Sequence, residues 1–304
     1  MIKFLGIITF VILIGPCQSF ENKIIMKIDN NIITTYDIIE ETNYLSILNP
    51  SFKSLNKNEI FNISKNSLIR EKIKEIELLK NLNQIKIEDS VFDQFLNQNA
   101  KKFKLNTKEE FMNLIKDVNV NLENFRKKIT IDILWNQLIY QKFSSKVKID
   151  KESLKQKIYS SERSKAYLLN EIVYKAENLS NQKSKLEEIS KSIKLIGFEN
   201  TALNYSISES AKEGGSIGWI EEAALNSKVL EKIKKLELND YTNPINIPSG
   251  FLILQLKEIK EIKNIIDYEK KLEELIIVST NQQLNQYSNL YYNKASKDIV
   301  IDEK

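Results

Sequence analysis

No histidine occurs in the sequence and only one cysteine, Cys17, so the side chains available for chemistry are carboxylates, hydroxyls, amines and phenols. That inventory excludes a Ser-His-Asp or Cys-His nucleophile system and every zinc site built on His or Cys. A metal ion would have to rest on carboxylates alone, and no EF-hand-like spacing is present; neither metal nor cofactor is expected. There is no nucleotide motif. Two segments stand apart. Tyr205 to Trp219 reads YSISESAKEGGSIGW, in which serines and acidic residues run into a glycine-rich turn, and Asn243-Pro244 leads to Pro248-Ser249-Gly250-Phe251. The net charge of +4 is spread along the chain, so nucleic acid is not expected as a partner.

The elements that hold these segments are read from glycine placement. Of the seven glycines, Gly6 and Gly15 lie near the start, and Gly197, Gly214, Gly215, Gly218 and Gly250 fall between positions 197 and 250. The stretch from Phe20 to Asn170 has none and reads as helices, whereas the glycine-bearing stretch needs tight turns. A short hairpin is expected at Ile24 to Ile33 around Asp29-Asn30-Asn31, followed by a helix capped at Thr34 or Thr35 and broken at Asn49-Pro50. Ile69, Ile73, Ile76 and Leu79 mark the buried face of a long helix, and Phe92, Phe95 and Leu96 mark another. Thr107 with Glu110, and Asn121, start two more helices, the second carrying Phe125, Ile129, Ile133 and Trp135. Later, Tyr167 to Tyr174 reads as a strand, Leu179 to Ile196 and Ala223 to Leu236 as helices, and Ile245 to Ile247 with Phe251 to Leu256 as a closing hairpin.

The first nineteen residues carry Lys3, an apolar run from Phe4 to Gly15, and small residues in Pro16-Cys17-Gln18-Ser19. This pattern predicts a secretory signal cleaved after Ser19, the run being short for a membrane span of about 20 residues. An uncleaved anchor and lipidation at Cys17 are the alternatives, and Pro16 argues against the second. Without Cys17 the mature chain would hold no cysteine and would rely on packing for its stability.

The stretch from Tyr205 to Trp219 resembles the parvulin motif that ends in Gly-Gly-x-Leu-Gly, and Asn243 to Phe251 resembles the closing hairpin of the same family. Upstream, Ile24 to Tyr44, Leu68 to Leu79 and Phe125 to Ile139 resemble the N-terminal domain of SurA-type proteins, and Ile265 to Ile301 resembles the C-terminal segment that completes that domain. The resemblance covers nearly the whole mature chain, with one parvulin domain where the best-known members have two. It implies an α+β fold: a mostly helical N-terminal chaperone domain (residues 20–162) completed by a C-terminal helical segment (261–304), plus one small parvulin-like α+β sheet domain (163–260), after a signal peptide at 1–19.

Active parvulins surround an apolar proline cup with two histidines and a Cys or Asp. By resemblance those positions fall on Glu171, Leu252 and Ser208 respectively, so all three are changed. The cup positions resemble Ile217, Leu225 and Val229, with Phe251 beside them. Peptidyl-prolyl isomerase activity is therefore expected to be weak or absent. Within the resemblance, the implied function is that of an ATP-independent periplasmic chaperone. It would bind unfolded outer-membrane or secreted proteins through apolar clefts between the helical and parvulin domains, and would pass them to the outer-membrane assembly machinery. An active isomerase and a membrane-tethered or lipidated foldase are the alternative readings.

Overall fold

The computed structural model describes residues 22–159, 164–175, 179–262 and 267–303. The expected signal peptide at 1–19 and the expected boundary between 162 and 163 lie outside the described residues. Asp29, at φ 49°, turns the chain between β1 (Ile24–Ile28) and β2 (Asn31–Thr34), a backbone region that Asp and Asn enter more readily than most residues. Thr34 and Asp37 form a capping box that starts α1 (Thr35–Leu48). Asn49 and Pro50 end that helix, as the sequence predicts, and a 3-10 turn, Pro50–Ser54, follows. Four further helices follow: α2 (Lys57–Asn81), α3 (Asp89–Lys102), α4 (Lys108–Asp117) and α5 (Leu122–Phe143), started by Asn56, Glu88, Thr107 and Asn121 in turn. A shorter α6 (Lys151–Tyr159) leads toward the second half of the chain.

The helices close around Phe125, whose ring lies 5.9 Å from Tyr44, 6.2 Å from Phe92 and 6.2 Å from Phe111, in the tilted and edge-on geometries that aromatic rings favour. The predicted stripe on α2 is displaced. Ile73 is buried, but Leu79 is 53% exposed and Ile69 and Ile76 are only partly covered. The buried face instead runs through Ile63, Leu68 and Leu78, and it carries Ser64, Ser67, Glu71, Lys74 and Glu75 along with them. Apolar periodicity could not locate a face that is half polar. Glu41, Glu71 and Lys128 make a buried ion cluster here, with Lys128 Nζ 2.6 Å from Glu41 and paired also to Glu71.

β3 (Ser164–Tyr174), α7 (Leu179–Tyr205), β4 (Ser216–Glu221), α8 (Ser227–Ile233), β5 (Ile245–Ile247) and β6 (Gly250–Ile262) build a four-stranded antiparallel sheet in the order β4-β3-β6-β5. One face packs on α8 through Tyr167, Leu169, Leu254, Leu256 and Ile233, and the other on α7 through Ile172, Tyr174, Ile189, Phe198 and Ala202. α7 runs past the predicted end at Ile196, but it breaks at Gly197, whose φ of 82° is non-helical. The helix predicted over Ala223 to Leu236 is shorter. A 3-10 turn at Glu222–Ala224 comes first, Leu225 is extended, and the Asn226 side chain restarts the helix by accepting from the Lys228 N–H.

The chain then returns to the first half. α9 (Tyr268–Ala295) lies along α2 and α5, with Trp135 Nε1 donating to Ser288 Oγ at 2.8 Å and Phe143 stacked on Tyr287 at 5.0 Å. β7 (Ile301–Glu303) pairs with β1 in the register Met26↔Glu303, so the hairpin becomes a three-stranded sheet, β2-β1-β7, joining both ends of the described chain. The architecture is α+β: a mostly helical body completed by a C-terminal helix, carrying a small sheet domain. Among the described residues no helix is long and apolar enough to cross a membrane.

Candidate functional site

Gly215 sets the geometry of the sheet domain's first site. Its φ is +82°, its C=O accepts from the Glu171 N–H at 2.7 Å, and a Cβ placed there would sit 2.2 Å from the Glu171 carbonyl oxygen. Only glycine allows that approach. It brings the loop Ser206 to Gly215 against β3, where Ser210 Oγ donates to the Glu171 carboxylate at 2.9 Å. Ser208 Oγ lies 2.7 Å from Ser210 Oγ and 2.9 Å from Ser206 Oγ, which in turn accepts from the Val173 N–H at 3.0 Å. Glu171 and Ser208, assigned from separate motifs, thus share one chain of hydroxyls. Burial raises the Glu171 carboxyl above the usual carboxylate range, with the Ser210 and Ser208 hydroxyls opposing that rise.

Leu252 pairs with Val173, one cross-strand step along the same face from the Glu171 and Leu254 pair. It packs with Ile217, Leu225 and Val229 in the apolar cluster beneath α8. Three of the four expected cup residues therefore do come together, although Leu225 is buried at 7% and serves as core. Phe251 does not join them. Strand alternation turns it to the opposite face, where it stacks on Tyr174 at 5.4 Å. Among the described residues no group of His, Cys, Asp and Glu is placed to hold a metal ion.

The same loop is tied to the helical body. Lys212 Nζ lies 2.5 Å from Asp132 on α5, and Lys74 on α2 lies 3.5 Å from Asp132 and 2.5 Å from Glu209. Burial works against ionisation of Asp132, but Lys212 and Lys74 outweigh it and hold the carboxyl at about 2. Lys74 also lies over the Trp135 ring, 5.7 Å from its centroid. Two cations and two anions from three elements thus neutralise one another beneath the loop that carries Ser208 and Ser210.

A cleft opens between α2 and α7, where the two halves of the molecule meet. A cavity of about 450 Å³ is lined by Asn66, Arg70, Lys185, Asn204, Tyr205 and Tyr292, among others. It adjoins a second of about 240 Å³ that includes Ile63, Leu195 and Ile196. Asn62, Glu188, Asn204 and Tyr205 line both, so the two form one groove. Asn66 Nδ2 donates to Asn204 Oδ1 at 2.7 Å and Arg70 Nη2 to the Leu203 carbonyl at 2.9 Å, which fixes the groove's floor. The resemblance implied a cleft between the helical and parvulin domains and named none of its residues, because asparagines and lysines scattered over two helices form no motif.

A four-stranded sheet with a glycine-dependent loop is set beside a helical body that its own C-terminus completes. Residues 168–258 match the rotamase family, described as the PPIC-type PPIASE domain. The chain is similar to Chaperone SurA of Hydrogenovibrio crunogenus, 23% identical over 287 residues, covering 90% of this chain and 62% of that one. It is similar also to Chaperone SurA of Nitrosococcus oceani, 27% identical over 145 residues, covering 45% of this chain and 34% of that one. The chain is thus similar to SurA-type chaperones over most of its length and matches the rotamase family across its sheet domain. It spans between about a third and 62% of the length of these curated relatives. A solved SurA-like chaperone from Campylobacter jejuni aligns over 93% of this chain and 99% of its own, at 18% identity and a TM-score of 0.35.

Proposed function

We propose that this protein is a nucleotide-independent periplasmic chaperone that holds unfolded outer-membrane or secreted proteins in the groove between α2 and α7, and that its rotamase domain contributes binding surface with little or no catalysis. The helical body (20–162 with 261–304) and the sheet domain (163–260) would each supply one wall. The observation that carries the reading is the groove: about 450 Å³ of polar and aromatic lining continuous with an apolar extension at Ile63, Leu195 and Ile196. Such a surface suits extended segments of varied sequence, where each contact is weak and adaptable.

The proposed catalytic silence follows from the hydroxyl chain. An ordinary peptide bond has a rotation barrier of about 18–20 kcal/mol, and a catalyst must favour the twisted imide over both planar isomers. That requires donors aimed at the twisted state. At the three positions where the family carries its catalytic groups, this chain has Glu171, Ser208 and Leu252. The hydroxyls are spent on one another and on Glu171, and Leu252 has no polar group. An apolar cup that binds both isomers equally leaves the barrier where it was.

The test is to mix the protein with an unfolded β-barrel client, follow light scattering, and measure cis-to-trans exchange of a proline peptide on the same preparation. Suppressed aggregation with exchange at the uncatalysed rate supports the proposal. Fast exchange without suppression would replace it with the isomerase reading.

A further inference from the structure

Arg70 differs from Lys65 and Lys185, the other cations that line the larger cavity. Lys65 at the rim is paired with Glu303 at 3.0 Å, and Lys185 with Glu188 at 2.9 Å while lying 4.6 Å above the Tyr205 ring. Arg70 has no carboxylate within ion-pair distance among the described residues; its one protein acceptor there is the Leu203 carbonyl, at 2.9 Å. The acidic groups nearest in effect, Glu41 and Glu209, are committed elsewhere, to Lys128 and Lys74. Burial accordingly lowers the Arg70 guanidinium below its ordinary value, only partly offset by Tyr292, Glu41 and Glu209. A guanidinium offers five N–H donors in a planar fork. One is used, and the side chain lines the larger cavity. Next to it the groove continues into the apolar stretch with Leu195, which is 72% exposed.

We propose that Arg70 is the receptor for a client carboxylate, so that the groove takes a segment whose apolar side chains lie along Leu195 and Ile196 and whose carboxylate sits in the Arg70 fork. The inference rests on the groove being the client site and adds the chemistry by which a segment would be chosen. A fork-to-carboxylate pair satisfies the idle donors in a partly desolvated place, where a charge-assisted bond counts for more than at the surface. Lys65 already holds one carboxylate of this chain at the rim, that of Glu303. The carboxylate can be a chain terminus or an Asp or Glu side chain, and the two are separated by the probes.

The experiment is fluorescence anisotropy on the full chain with three short labelled peptides of the same apolar core: one with a free C-terminal carboxylate, one amidated, and one amidated with an internal Glu. At least one carboxylate form is expected to bind about tenfold more tightly than the plain amide, with that preference shrinking as salt is raised. A preference for the first form alone identifies the terminus, and for the third alone the side chain. Arg70→Gln should abolish the preference, so that the carboxylate forms bind the variant no more tightly than the plain amide does. Equal binding of all three peptides to the unmodified chain overturns the inference without needing any variant, and leaves the chaperone reading standing. A preference that survives in a folded R70Q also overturns it. Binding of none of the peptides, together with unprotected client, removes the groove reading itself.

Discussion

Replacing Asp132 by Asn tests whether the charge cluster beneath the sheet domain's loop holds the two halves together. In the folded protein this carboxyl titrates at about 2 against an ordinary value of 3.8, because Lys212 and Lys74 overcome the cost of its burial. A tenfold change in proton affinity is worth about 1.4 kcal/mol, so the ionised carboxylate contributes on the order of 2 kcal/mol. Removal also leaves Lys212 without its carboxylate partner and Lys74 with Glu209 alone, their side chains only 13% and 7% exposed. Breaking a buried pair costs about 3–5 kcal/mol in well-studied cases, and the partial exposure of Asp132 puts the expected loss at roughly 2–4 kcal/mol. The folded value lies below the unfolded one, so this stability is complete above the unfolded value and is lost as pH falls through about 2. Urea unfolding of both proteins at neutral pH should show the loss, and a series into acid should show the gap closing. Hydrogen exchange should locate the loosening at Glu209 to Gly214. A D132N protein within about 0.5 kcal/mol of the parent at neutral pH would refute the reasoning.

Lys128→Met should cost about 3–5 kcal/mol in the same assay, because it leaves Glu41 and Glu71 buried without their cation. Glu171→Gln should raise the unfolding midpoint at neutral pH. The folded carboxyl is held above its unfolded value, so ionisation works against folding, and the parent should lose stability as pH rises through that interval while the variant does not. Gly215→Ala should cost about 1–3 kcal/mol and displace the Ser208 and Ser210 loop, seen as amide shifts around Glu171, since its Cβ would meet the Glu171 carbonyl at 2.2 Å.

Local signals in the sequence were sufficient wherever one residue type does one job. Asp29 at the hairpin, Thr34 and Asn121 at helix starts, and the glycines of the sheet domain are each dictated by backbone conformation or a single hydrogen bond. Reading failed where a position answers to several partners. The buried face of α2 contains Glu71, Lys74 and Glu75, whose counter-charges come from α5 and the Glu209 loop as well as from α2 itself, so its polarity hides it from an apolar count. Phe251 follows Gly250 at the start of β6, and its face is set by the pairing of that strand with β3, which motif matching does not supply. Glu171 and Ser208 were legible as positions, but the hydroxyl chain joining them depends on how the Gly215 turn seats the loop on β3. The groove was legible only as a place between two halves.

Where a client sits is the most direct question. A photo-crosslinking residue placed in turn at Leu195, on the groove's apolar end, and at Ile217, on the sheet face beneath α8, would be exposed to an unfolded β-barrel protein and the products mapped. The account predicts strong crosslinking from position 195, lost when the client is folded, and little from position 217. Crosslinks confined to position 217 would place the client on the rotamase face and contradict it.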